Sequence, residues 1–85
     1  MAEVEIGKVI HYFSKAGVAA IQVTQDVLRV GDTIHVKGHT SDFTQKIDSM
    51  QVDNQAVPEA ATGQTIGLRV KEHAREHDLV YKLVE

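Results

Sequence analysis

The stretch Arg29-Val30-Gly31-Asp32-Thr33-Ile34-His35-Val36-Lys37-Gly38 decides the fold. Leu28 and Val30 lead into a Gly-Asp pair, and Ile34 and Val36 then alternate with His35 and Lys37, the period-two pattern of a strand with one buried face. Gly31 permits the positive φ that a tight turn needs, and Asp32 offers a carboxylate to the turn's backbone. Gly38 closes the strand where the chain has to bend.

On the N-terminal side, Val4, Ile6 and Val9, then Val18, Ile21 and Val23, fall in short β-branched runs around a turn-like Ser14-Lys15-Ala16-Gly17. A hairpin is expected there, with a bulge near Gly7 because the apolar phase changes between Ile6 and Val9. On the C-terminal side, Phe43, Gln45 and Ile47 predict a strand running to about Val52, followed by the polar turn Asp53-Asn54-Gln55 and by Pro58. Ile66, Leu68 and Val70 share a face, and Leu79 to Val84 forms the last strand. Val70 to His77 contains helix formers but no apolar stripe, and reads as a turn that buries nothing. The whole chain, 1–85, is thus expected to be one all-β domain. Six or seven short strands would form a small antiparallel barrel of Greek-key type, closed because closure removes exposed edges.

Composition narrows the function classes. A chain of 85 residues has room for a single core. The absence of cysteine excludes disulfides, thiol nucleophiles and Cys-ligated zinc, and suits a reducing, cytoplasmic location. The amino terminus has acidic residues where a signal peptide has a basic patch, and no apolar run reaches the roughly 20 residues that span a bilayer. The net charge of −3 argues against indiscriminate binding to phosphate backbones, while leaving room for a local basic patch.

RVGDTIHVKG, together with Gln45 to Gln51, Val57 to Val70 and Asp78 to Tyr81, resembles the second domain of the translation GTPases, the β-barrel that follows the GTP-binding domain in elongation factor Tu and its archaeal and eukaryotic counterparts. Ile6 to Val23 resembles that barrel's opening hairpin. Gly67, between Ile66 and Leu68, would mark a bulge or a close backbone approach. No G-x-x-x-x-G-K-[ST] motif is present, so nucleotide binding and GTPase activity are not expected. A chain that starts at Met1 and ends after a complete strand would be the barrel living alone.

The resemblance implies contact with tRNA or ribosomal RNA, or with a translation-related protein. Lys37, His39, Arg69, Lys71 and Arg75 would meet phosphates near one barrel end, with His39 or Tyr12 stacking on a base. The alternative is an adaptor barrel presenting Tyr12 and Phe13, although Phe13 is expected to pack under the barrel mouth. No enzymatic role and no cofactor are expected. His39, Thr40, Ser41 and Asp42 bring triad residue types together only as neighbours in a loop. His35 and His39, four apart on a strand, are held about 13 Å from each other. His73 and His77 would share a metal only on a helix, so no metal site is assigned.

Overall fold

The computed structural model describes residues 2–84. Ten strands follow in order: β1 (Ala2–Phe13), β2 (Val18–Val23), β3 (Val27–Arg29), β4 (Thr33–Lys37), β5 (Asp42–Lys46), β6 (Gln51–Val52), β7 (Gln55–Ala56), β8 (Glu59–Ala61), β9 (Thr65–Arg69) and β10 (Leu79–Val84). Eight of them form one antiparallel sheet in the order β5-β4-β10-β1-β2-β9-β6-β7, and β3 pairs with β8 in a second. The expected all-β antiparallel barrel is what the chain forms; the larger strand number comes from two- and three-residue pieces that propensity alone does not mark. No helix among the described residues is long and apolar enough to cross a membrane.

The barrel's inside is set by alternation. Ala19, Ile21 and Val23 of β2, Ile34 and Val36 of β4, and Ile66 and Leu68 of β9 are buried, while their neighbours along each strand face outward. Each buried Val, Leu or Ile removes apolar surface worth about 1.5–3 kcal/mol from water, which is how a cysteine-free chain of this size holds together. Ile6 and Val9 both point inward although they are three apart, and the β1–β10 register shifts between Glu5 and Gly7, the bulge expected there. A second shift, between Val9 and His11 against β2, bends the same long strand again. Gly7 is required by contact: a Cβ there would lie 2.5 Å from the Gln22 carbonyl oxygen.

The turn after β3 forms as its sequence dictates. Gly31 has φ +100°, and the Asp32 carboxylate accepts the Arg29 N–H at 2.9 Å. The Gly31 N–H reaches the Ile47 carbonyl and the Ile47 N–H reaches that of Asp32, so this turn is tied to the end of β5. Lys82 on β10 donates to the Val27 carbonyl at 2.8 Å and lies 3.3 Å from the Asp26 carboxylate, fixing the small sheet to the large one. The Val27 N–H, with Lys82, holds the Asp26 carboxyl below its ordinary value.

Three local expectations are corrected. The strand after Phe43 stops at Lys46 and pairing resumes only at Gln51, because Ile47 and Met50 both turn into the core and break the alternation. The irregular segment after Val70 does bury apolar surface: Val70 and Ala74 are core residues, reached without helical periodicity. Gly67 is neither a bulge nor a tight approach, since a Cβ there would meet only a Val18 methyl, at an ordinary 3.7 Å.

Candidate functional site

The eight-stranded sheet does not close on itself by backbone pairing between β5 and β9. One side chain spans the gap: the Gln45 amide donates to the Arg69 carbonyl at 3.0 Å, and its oxygen accepts the Lys71 N–H at 2.9 Å. A primary amide offers the same donor and acceptor as a peptide group, so Gln45 bridges the seam as a strand would. Around it opens a cleft of about 510 Å³, walled by Lys46, Arg69 and Lys71 with Asp48 and Ser49. None of the three cations belongs to an ion pair among the described residues.

The cleft continues along the outer face of β9. A space of about 190 Å³ shares Ser49 and Arg69 with it. That space also shares Val18, Gln51 and Gly67 with a groove of about 590 Å³. The groove runs over Ala20 and Gly67 to Phe13 on one side and the Asp53-Asn54 turn on the other. Gly67 pairs with Ala20 on β2 and with Gln51 on β6, so its missing side chain leaves a depression in the floor. From Lys71 to Thr65 the furrow spans about 20 Å, the length of some six extended residues. One end is cationic and the middle is apolar.

At β4, by contrast, charge is consumed internally. On the opposite side of β4, His35 sits between two carboxylates, with Nδ1 2.7 Å from Glu3 and Nε2 2.5 Å from Asp42. Carboxylates only accept, so both ring nitrogens carry protons and the ring is an imidazolium. The Asp42 hydrogen bond, joined by that from Glu3, raises the His35 pKa above its ordinary value against the opposing effect of burial. With neither nitrogen free, this histidine is not a general base.

The residues singled out from sequence are placed as follows. Arg69 and Lys71 meet in the cleft, beside Lys46, which the sequence did not single out. Lys37, His39 and Arg75 do not line it. Lys37 lies opposite Asp42 at the other end of the β4–β5 ladder from Gln45, and the backbone N–H of Arg75 donates to the Asp78 carboxylate at 2.9 Å. His39 is exposed in the turn between β4 and β5. The Tyr12 ring is already occupied, lying 4.4 Å from that of His73. Phe13 is 51% exposed and does not pack under the barrel mouth. Tyr12 takes the core-facing position at the hairpin tip, and alternation turns its neighbour outward, where His11 meets it edge-on at 4.5 Å. His73 and His77 share no helix, and no group of three or more His, Asp or Glu among the described residues is arranged to hold a metal ion.

No family model matches the chain. An uncharacterized protease of Methanocaldococcus jannaschii is 36% identical over 84 residues, covering 98% of this chain and 20% of that protein. A collagenase of Porphyromonas gingivalis is 36% identical over 81 residues, covering 94% of this chain and 20% of its own length. The chain thus spans about a fifth of the curated relatives it matches. Among solved structures, the C-terminal domain of a Geobacillus thermoleovorans protein described as a U32 peptidase superposes with a TM-score of 0.87 at 23% identity, over 95% of this chain and 93% of that one. GDP-bound aIF5B of Aeropyrum pernix superposes with a TM-score of 0.66 at 17% identity, over 98% of this chain and 14% of that one. These findings overturn the translation-GTPase resemblance as a statement of kinship. An initiation factor shares the fold at low identity, whereas the sequence relatives are named as a protease and a collagenase. The expectations of an RNA-binding translation module, of an adaptor barrel and of no link to enzymatic function fall with it, and the kinship that the sequence does carry is to one-fifth of proteins named for proteolysis.

Proposed function

We propose that this chain is a barrel of the kind carried by U32-type peptidases, and that its part in proteolysis is to engage the polypeptide. One observation carries the reading: 36–37% identity runs through 91–98% of the chain to proteins named as protease and collagenase. The furrow along β9 supports it, because a trough of about 20 Å with side-chain hydrogen-bonding groups on its walls suits an extended chain. β2 pairs one edge of β9 along its length, and Gln51 and the Gln45 amide occupy the other, so the guest lies along β9 on its outer face and is held through side chains. The absence of cysteine supports a cytoplasmic place of action.

Surface plasmon resonance with the immobilised chain tests the reading. Heat-denatured collagen and reduced casein should bind saturably, and folded albumin should not. A flat response to both unfolded polypeptides would overturn it.

A further inference from the structure

We infer that the furrow selects its polypeptide by pattern: an acidic pair seats between Lys46, Arg69 and Lys71, and a bulky apolar side chain a few residues away drops onto the Gly67 floor. The inference rests on the polypeptide-engaging reading and specifies what that site takes. Its first support is charge. Three cations face one carboxylate, Asp48, in a cleft of about 510 Å³, and none of the three is neutralised by an ion pair among the described residues. Carboxylates of a guest would complete that electrostatic set. Arg69, with its planar fork, is suited to bidentate contact, and the two lysines act as point charges.

The second support is shape. Arg69 and Gly67 are two residues apart on β9 and face the same side, about 7 Å from each other. An extended guest would therefore place a side chain over Gly67 two residues from the one that meets Arg69. The depression there is bordered by Val18 and Ala20 and is open to a methyl-bearing side chain, since a Cβ at Gly67 has no neighbour closer than 3.7 Å. A nucleic acid fits the same cleft less well. The cationic end is lined by no aromatic ring on which a base would stack.

Fluorescence anisotropy with labelled probes decides the matter. The probes are a peptide of about ten residues carrying Asp, a neutral spacer, Asp, a second spacer and Leu, so that both acids and the apolar side chain face the furrow, its analogue with Asn at both Asp positions (Asn-Asn), and an oligouridylate of similar length. The acidic peptide should bind best and weaken as salt rises, and its Asn-Asn analogue should bind roughly tenfold more weakly. R69E/K71E should reverse the preference, so that the Asn-Asn analogue binds better than the acidic peptide. G67L should weaken both peptides by filling the floor, and R69E/K71E, whose positions are exposed, keeps the test open if G67L fails to fold. Equal binding of the two peptides to the unmodified chain, or unfolded collagen and casein binding undiminished by both variants, would overturn the furrow assignment while leaving polypeptide engagement intact. No binding of any polypeptide would overturn the underlying reading instead. Tighter binding of the oligouridylate through Arg69 and Lys71 would overturn the inference in favour of nucleic acid.

Discussion

The two faces of the barrel handle charge in opposite ways. Across β4, the His35 imidazolium takes one carboxylate from β1 and one from β5, so three ionised groups spend their charge on one another and link three parts of the sheet. Beside β9, Lys46, Arg69 and Lys71 converge with no such partner among the described residues, and the seam between β5 and β9 is held by a neutral amide. Charge in the first place holds the fold. In the second it faces an open cleft, and its removal should cost the fold little.

Breaking the clasp should have the largest effect on stability. His35 is mostly enclosed, with 15% of its side chain exposed, and H35A would leave Glu3 and Asp42 as unpaired anions on one face. A loss of about 2 kcal/mol is expected, read as a lower urea midpoint at pH 6 with an unchanged slope. The pH dependence gives an independent reading. Because the folded pKa of His35 lies above its ordinary 6.5, the folded state binds the proton more tightly than the unfolded state. The clasp's contribution is therefore complete below pH 6.5 and disappears as the pH rises through the raised value. The difference in stability between the unmodified chain and H35Q should shrink between pH 6 and pH 9; a difference that grows with pH would mean the ring is neutral when bound.

An intermediate effect is expected at the seam. Q45A removes two hydrogen bonds, to the Arg69 carbonyl and from the Lys71 N–H, for a loss of about 1 kcal/mol. Native-state hydrogen exchange sharpens the point: the Lys71 amide should lose protection in Q45A, while the amides of β4 and β10 keep theirs. If the Lys71 amide exchanged equally in both proteins, Gln45 would not be what closes the barrel.

How much of this was legible in the sequence follows from the range of each signal. Ile34 and Val36 alternate with polar residues within five positions, Gly31 announces a turn, and the phase change around Gly7 announces a bulge; each is local, and each is found in the fold. Ala74 is buried from an irregular segment that has no period to betray it. The furrow was out of reach for a different reason. It needs Lys46, two residues short of Asp48, brought next to Arg69 and Lys71 from more than twenty positions away, and only the closure of the sheet sets that distance. The family resemblance misled for a related reason. Glycines and alternating apolar residues at these spacings specify a barrel, and a barrel of this shape also occurs in aIF5B, so the pattern gives the scaffold and leaves open the protein that uses it.

The smallest effect on stability is the most informative about the second face. R69A and K71A each remove an exposed side chain with no ion-pair partner among the described residues, and each should change the stability read from urea unfolding by no more than about 0.5 kcal/mol. Removing cations that crowd one another even favours a slight gain at low salt, where repulsion within the cleft is least screened. Denaturation of the double variant in low and moderate salt separates the alternatives. Stability equal to or above that of the unmodified chain, converging as salt rises, shows that these cations do not hold the seam closed, as the proposed site requires. A loss as large as that of H35A would show the cations holding the seam closed, and the two faces would then differ in residue type but not in purpose.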